Sequence, residues 1–593
     1  MIDAMLETGT QNRWQVKTSS DGVSGVEALA RQLRVHPIVA QMLILRGMGD
    51  PARAKQFLEP KLTDLHDPAD LPGAQQAAKL IIKAVRAGQS IVIYGDYDVD
   101  GITASAILWH MLKVMGAKVS TYVPHRIDEG YGLNCEAILQ IAAKDKPLII
   151  SVDCGITAVK QAQTARDAGV DLIITDHHEF DAKALPDAAA LVHPRIEAGY
   201  PFGDLCGAGV AFKLAWEVAR LHCGSDRLPA ELRDLLMDLL SFAALGTVAD
   251  VVPLIDENRI ITTYGLGQIK RTRFAGLNAM ITTAKLDDEK IDAYHVGFVL
   301  GPRLNACGRM GHAGDAVHLL TDANEDEAGR LAEFLTQEND RRRVAERQIV
   351  KEAKQMVVDC HYDRDDSRAI VLGNEDWHPG VLGIVASRLV DAFARPVVML
   401  SFDGDEAHGS ARSVDGISIH EALIHCEGHL TTFGGHAMAA GLRLDRDKVD
   451  AFREQMIEYV NARLSPEDLS PLLPIDAACD LKDVTIELVQ QLDRLAPFGR
   501  NNPSPVLCVR HVHVAQPPRR VGVNGDHLKF TVTQEKQSTD AIAFGMGHMA
   551  GDLSAGTTID VAFEPKMNEW QGRRTAQLVV KDLKISNRSP VAM

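Results

Sequence analysis

Residues 90–103 read SIVIYGDYDVDGIT, and few backbones can accommodate that string. Ile91, Val92, Ile93 and Tyr94 form a short apolar run of the kind buried on both faces of a parallel sheet. Gly95 interrupts it. Asp96, Asp98 and Asp100 then occupy alternate positions, closed by Gly101, and the chain runs on as a helix with Thr103 as the expected N-cap. Three carboxylates are thereby confined to one strand-to-helix turn. Ionised at that spacing they repel one another unless a cation sits among them. Oxygen ligands of this sort suit Mg2+ or Mn2+. A solvated acidic turn is the bland alternative for an isolated Asp-x-Asp, so the reading depends on what else the chain delivers to the same place.

It delivers a good deal. Residues 147–152 read as a second buried strand and end in Asp153-Cys154-Gly155. Residues 171–175 read as a third and end in Asp176-His177-His178-Glu179, and residues 189–192 read as a fourth, ending in His193-Pro194-Arg195. Strands alternating with helices predict an α/β fold with a parallel, doubly wound sheet. Ligands of such sheets gather at the carboxyl ends of the strands. That rule places Asp96, Asp98, Asp100, Asp153, His177 and His178 on one rim. Residues 241–250, an apolar helix or strand, add Asp250 at their end.

Seven strings, in order, carry a resemblance: GDYDVDG (95–101), SVDCG (151–155), TDHHE (175–179), GTVADVVPL (246–254), GPRLNACGRM (301–310), WHPGVLGIVASRL (377–389) and GGHAMAAG (434–441). Together they resemble the DHH phosphoesterase superfamily and, within it, the single-stranded-DNA-specific exonucleases of the RecJ type. The resemblance implies two divalent metal ions, Mn2+ or Mg2+, held by Asp98, Asp100, Asp153, His177 and Asp250, with Asp153 between the two. It implies that His178 faces the scissile phosphate and that Asp176 orients a histidine. Smaller members carry a histidine ligand where Tyr94 stands, so Asp96 or water takes that place. The implied activity is 5′-to-3′ digestion of single-stranded DNA to mononucleotides in repair and recombination, with single-strand-binding protein and a helicase as partners. Two other readings stay open: a phosphodiesterase for short oligonucleotides or cyclic dinucleotides, and a DNA-binding scaffold without catalysis. The presence of every metal ligand except the histidine replaced by Tyr94 weighs against the scaffold.

The rest of the chain divides around this centre. Residues 1–80 read as a helical preparatory region and 81–320 as the catalytic DHH domain. Arg303, Asn305 and Arg309 sit in a Gly-bounded segment without helical or strand character and are expected to clamp phosphate. Residues 321–365 read as one long connecting helix carrying Arg341-Arg342-Arg343. Residues 366–470 form a smaller α/β lobe, DHHA1 by resemblance, in which Ser410, Arg412, Gly434, Gly435 and His436 offer a substrate its small residues and charge. Residues 475–593 carry five short alternating strands, an OB-like barrel for single strands, with Arg519, Arg520, Lys529, Phe530, Arg573 and Arg574 as contacts.

Composition bears on two points only. The formal net charge of −17 argues against nucleic acid, yet residues 475–593 hold 14 Lys and Arg against 13 Asp and Glu, so the acidity lies upstream. The nine cysteines form no C-x-x-C pair, which predicts reduced thiols. The opening residues MIDAMLETGTQNRW lack a basic start and an apolar core, and the expectation is a cytoplasmic protein with no membrane span.

Overall fold

The computed structural model describes residues 4–9, 11–18, 22–124, 132–310 and 313–586. The chain divides into two compact units, one of Gln56–Arg341 with Leu495–Pro503, the other of Met1–Lys55, Arg342–Arg494 and Ser504–Met593.

The first unit is built on a parallel sheet of five strands, Ser90–Gly95, Lys118–Tyr122, Leu148–Val152, Leu172–Thr175 and Ala190–Val192. In space Lys118–Tyr122 lies outside Ser90–Gly95, and the other three follow on the opposite side. The winding direction therefore reverses between Ser90–Gly95 and Leu148–Val152. A reversal of this kind opens a crevice at the strands' carboxyl ends. Both faces of the sheet are covered. Ile91, Ile93, Ile150 and Val152 pack beneath helices Ala74–Arg86, Val99–Val114, Gly207–Cys223 and Ala230–Ala249. Tyr94, Ile149, Leu172 and Ile174 pack against Cys135–Asp145 and Val159–Asp167. Burial on two faces is why these strands read as unbroken apolar runs. Lys118–Tyr122 gave no such signal because it is an edge strand with its side chains partly or fully exposed.

The second unit holds a mixed sheet in the order Thr432–Gly435, Ala439–Asp445, Glu406–Arg412, Val397–Asp403, Ile370–Asn374. It also holds a barrel. Leu507–Val514, His527–Gln534, Gln537–Ala543, Thr558–Trp570 and Arg573–Ile585 pair in a ring that closes where His513 and Val514 meet Thr533 and Val532. These are the five strands expected from the sequence, lengthened. Phe530 is a correction: it is buried in the barrel, whereas Phe544, 55 % exposed, and Trp570, 72 % exposed, are aromatics on the outside.

The N-terminal region also departs from expectation. Ala4–Thr8 and Arg13–Lys17 are strands, the second parallel to Leu472–Ile475. Trp14 and Val16 bury against Ile475, Cys508 and Ala562. The Trp14 indole and the Asn12 amide donate to the buried Asp582 carboxylate. A strand whose partner lies more than 450 residues away leaves no local mark. Glu325–Asp359 is one 35-residue helix, about 52 Å long at 1.5 Å per residue. Within it Arg341 pairs with Glu338 and Arg342 with Glu346, so two of the three arginines already have acidic partners. All nine cysteines are free thiols. Among the described residues no helix is long and apolar enough to cross a membrane.

Candidate active site

The helix after Ser90–Gly95 starts at Val99, and its N-cap is Asp98, whose Oδ1 accepts from the Asp100 and Gly101 amides. Thr103, the expected cap, lies in the second turn and donates to the Val99 carbonyl. The cap holds Asp98 at the crevice and leaves its second oxygen outside the helix's own hydrogen bonds. Asp100, in the first turn, is 1 % exposed. Its two oxygens accept from the Gly207 and Ala208 amides, at 2.6 and 2.8 Å, at the start of helix Gly207–Cys223. A helix N-terminus is a natural partner for a buried carboxylate.

Asp153 follows the neighbouring strand with φ +60°, a left-handed conformation unusual outside glycine. It is 2 % exposed. Helix Gly207–Cys223 can approach it only because residue 207 has no side chain: a Cβ there would lie 2.6 Å from the Asp153 Cβ. Gly246 has the same task beside Asp100, where a Cβ would come within 2.5 Å of Oδ1. Four residues later Asp250 caps the carboxyl end of helix Ala230–Ala249.

His177 completes the cluster. Its Nε2 lies 3.1 Å from Asp153 Oδ1, 3.6 Å from Asp250 Oδ2 and 3.7 Å from Asp100 Oδ2. That nitrogen is closed to solvent and has no hydrogen-bond partner among the described residues. Burial pushes the His177 imidazole down to about 4, against the pull of Asp100, so it is neutral and offers a lone pair. The carboxylates move the other way. Burial raises Asp153 well above its ordinary range, and the charges of Asp100, Asp98 and Asp96 add to it. Burial, with Asp100 and Asp98, lifts Asp250 to about 8, and burial raises Asp100 against the attraction of His177. Three groups have their donor atoms within 4.8 Å of one another: Asp100, His177 and Asp250; Asp96, Asp98 and Asp153; and Asp153, His177 and His178, which links the other two. Asp153 touches both through His177. A buried imidazole nitrogen without a donor, ringed by carboxylates that repel, fits hard divalent cations.

Tyr94 takes no part in any of these groups. Its hydroxyl donates to the Gly132 carbonyl at 3.2 Å, and its ring packs on Tyr122. Asp96, 3 % exposed, belongs to the second group.

Asp176 sits behind the histidines. Its Oδ1 accepts from the His177 and His178 amides and lies 2.7 Å from His178 Nδ1, and its Oδ2 accepts from the Ile156 amide. Burial opposes its charge, but the hydrogen bond and charge of His178, with the Ile156 amide, hold it down at about 2. His178 answers in kind: burial lowers it, yet Asp176, then Asp250 and Asp100, raise it to about 9. The backbone of this pair is braced from the next strand. His193 Nε2 lies 2.9 Å from the His178 carbonyl, and Arg195 donates to the His177 carbonyl at 2.7 Å.

Three profiles match the chain: the DHH family N-terminal domain over 90–247, the DHHA1 domain over 366–462 and the RecJ OB domain over 475–582. The single-stranded-DNA-specific exonuclease RecJ of Bacillus subtilis is 40 % identical over 577 residues, covering 97 % of this chain and 71 % of the relative. The chain belongs to the RecJ family. The crystal structure of Thermus thermophilus RecJ in complex with Mn2+ superposes with a TM-score of 0.82 at 30 % identity, over 97 % of this chain and 80 % of that one. Its complex with Mg2+ gives 0.76 at 29 % identity, over 97 % and 78 %.

The remaining expected residues of this RecJ-family chain fall elsewhere. Residues Gly301–Met310 are a helix, entered through a π-helical turn at Val296–Leu300, and not an irregular segment. Leu304, Ala306 and Cys307 are fully buried, so tertiary packing overrides two glycines and a proline. Arg303 donates to Thr336 Oγ1 and to the Val299 carbonyl. Asn305 Oδ1 accepts from the Val99 amide, so this side chain steadies the Asp98 turn. The side chain of Arg309 lies outside the described residues.

In the DHHA1 lobe, Ser410 and Arg412 point from one face of Glu406–Arg412, with Arg412 Nη1 3.1 Å from Ser410 Oγ. Gly434 and Gly441 face each other across the adjoining strands. Gly435 has φ +146° and no room for a Cβ, and His436 is exposed. A cleft of about 390 Å³ opens here, lined by Ser410 and Gly434 and also by His408, Thr432, Phe433 and Arg443. All four of these last residues were missed by sequence reasoning. The signal was available: His408 lies two residues from Ser410, and Arg443 two from Gly441, on the same face of their strands.

Proposed function

We propose that the chain is a metal-dependent exonuclease that hydrolyses phosphodiester bonds of single-stranded DNA from the 5′ end, releasing mononucleotides during repair and recombination. The observation that carries this is the His177 nitrogen, buried and without a donor, among carboxylates from three separate strand and helix ends at the winding reversal. Asp100, His177 and Asp250 would hold one ion, Asp96 and Asp98 the other, with Asp153 shared between them. Two divalent ions, Mn2+ or Mg2+, supply a nucleophilic water at neutral pH and offset the charge of the attacked phosphate.

The chain's own residues do the rest. Asp176 fixes His178 by accepting from Nδ1 and, by raising it to about 9, keeps the ring cationic, so that Nε2 also carries a proton for a phosphate oxygen. The amides of Gly207 and Ala208 keep the buried Asp100 carboxylate in place. Arg303, Asn305 and Arg309 are assigned to the substrate side of the catalytic domain. Ser410, Arg412, Gly434, Gly435 and His436 are assigned to the DHHA1 cleft. On the barrel, Arg519 pairs across to Lys529, and His527 meets the exposed Phe544 ring edge-on at 5.1 Å. The cations of Arg519 and Lys529 and the exposed Phe544 ring on this barrel support a grip on unpaired bases and their phosphates. The domain division is read as 1–80, 81–320, 321–365, 366–470 and 475–593. A cytoplasmic setting, with single-strand-binding protein and a helicase as partners, accords with the family resemblance.

The test is digestion of single-stranded oligonucleotides labelled at either end, with Mn2+, Mg2+ or chelator, beside Asp153→Ala. Metal-dependent mononucleotides released first from the 5′ end, and lost in the variant, are the expected result. Strand binding without cleavage under every metal would refute it.

A further inference from the structure

Residues Leu495–Pro503 belong to the unit that contains the metal cluster, and they are held there with unusual thoroughness. Arg259, only 2 % exposed, spends its guanidinium on backbone, donating to the carbonyls of Phe57, Leu495 and Ala496 at 2.7–2.8 Å. Asn502, fully buried, donates through Nδ2 to the Leu495 and Pro497 carbonyls. Gly499 and Asn502 exchange backbone hydrogen bonds across a turn in which Asn501 has φ +59°. Gly499 lies so close to Leu254 that a Cβ would meet its Cδ1 at 2.7 Å. The Leu254 amide donates to the Arg500 carbonyl at 2.9 Å.

The tip of this fixed loop is Arg500. Its backbone is pinned four residues beyond Asp250, while its side chain is exposed and has no hydrogen-bond or ion-pair partner among the described residues. Its charge nevertheless reaches the Asp250 carboxylate. An exposed guanidinium without a protein partner among the described residues, on a loop tied to Leu254 in the segment that follows Asp250, is available to an anion. Arg suits a phosphodiester, which its planar fork can bind with two parallel hydrogen bonds.

We propose that Arg500 is a substrate-binding residue, its guanidinium taking the phosphodiester next to the scissile one on a single strand. The proposal rests on the exonuclease reading and adds to it a cation from a segment far along the chain. The rigid loop sets the position of the charge, so the strand's next phosphate is registered against the metal cluster.

The experiment compares the full chain with Arg500→Gln and Arg500→Lys on oligonucleotides in which one linkage at a time is a neutral methylphosphonate. Arg500→Gln is expected to raise KM about 10- to 100-fold with a smaller change in kcat, and Arg500→Lys to restore part of it. The parent should lose affinity when the linkage beside the scissile one is neutralised, whereas Arg500→Gln should be indifferent to that same linkage. Equal sensitivity of parent and Arg500→Gln at every linkage overturns the proposal. So does a 10-fold weaker Mn2+ affinity of Arg500→Gln without DNA, measured by electron paramagnetic resonance, which would mark a disturbed metal site. A parent that degrades no single-stranded DNA defeats the exonuclease reading itself, and this proposal with it.

Discussion

Gly207→Ala adds a single methyl group at the most crowded point of the cluster. Its carbon would lie 2.6 Å from both the Cβ and Oδ1 of Asp153. Carbon contacts settle near 3.5–4 Å, so one partner must retreat by roughly 1 Å. The helix is not free to retreat, because its Gly207 and Ala208 amides hold Asp100. Asp153 is not free either, since its amide donates to the Thr175 carbonyl from a left-handed conformation. Either movement displaces a carboxylate of the ligand groups, Asp100 or Asp153. Overpacking of this kind costs about 1–3 kcal/mol of stability, and a displaced ligand costs about 10- to 100-fold in metal affinity. Mn2+ titration followed by electron paramagnetic resonance, with urea unfolding in chelator, separates the two effects. Gly267→Ala is the control. It lies in helix Asp256–Ile269, where a Cβ meets nothing within 4 Å, and alanine should stabilise by up to about 1 kcal/mol with Mn2+ affinity unchanged. An unaltered Mn2+ affinity in Gly207→Ala would falsify the account of the close approach.

Two further outcomes concern protons. In metal-free protein His178 should titrate near 9, and Asp176→Asn should lower it, because burial is then opposed only by the more distant charges of Asp250 and Asp100; histidine NMR titration reads the change. Since the folded value is raised, the stability from this pair is complete below about 6.5 and is lost as pH rises through about 9, so Asp176→Asn should cost least at alkaline pH. Asp250, lifted to about 8, and Asp153, moved in the same direction by burial, favour bound protons in metal-free protein. Mn2+ must displace them, so its affinity should climb between pH 6 and 8, and calorimetry in two buffers of different ionisation enthalpy should show proton release; identical heats would contradict this.

What could be read locally was read well. Ile91–Tyr94, Leu148–Val152 and Leu172–Thr175 are buried on both faces, so their own composition marks them as strands of a parallel sheet. Each runs straight into its acidic or histidine residues, so order along the chain alone put Asp96, Asp98, Asp100, Asp153, His177 and His178 on one rim. The barrel strands alternate strictly enough to be located, and the long helix carries its own periodicity. The sequence was silent or misleading where a distant partner decides. The Arg13–Lys17 strand depends on Leu472–Ile475, and the Gly301–Met310 helix survives two glycines because Leu304 and Cys307 are buried. Phe530, expected as a contact, proved buried because only the closed barrel distinguishes inside from outside.

The sequence by itself determined the chemistry of this protein: which residues carry oxygen and imidazole ligands, and that strand ends present them. The tertiary structure decided their states and their neighbours. It placed two helix amides on Asp100, closed helices on the ligands at Gly207 and Gly246, set Asp176 behind His178, and tied the Arg500 carbonyl to the Leu254 amide. The physical reason is one of range. Strand and helix preferences act over a few residues, whereas burial, charge and close approach depend on atoms brought together from hundreds of residues apart.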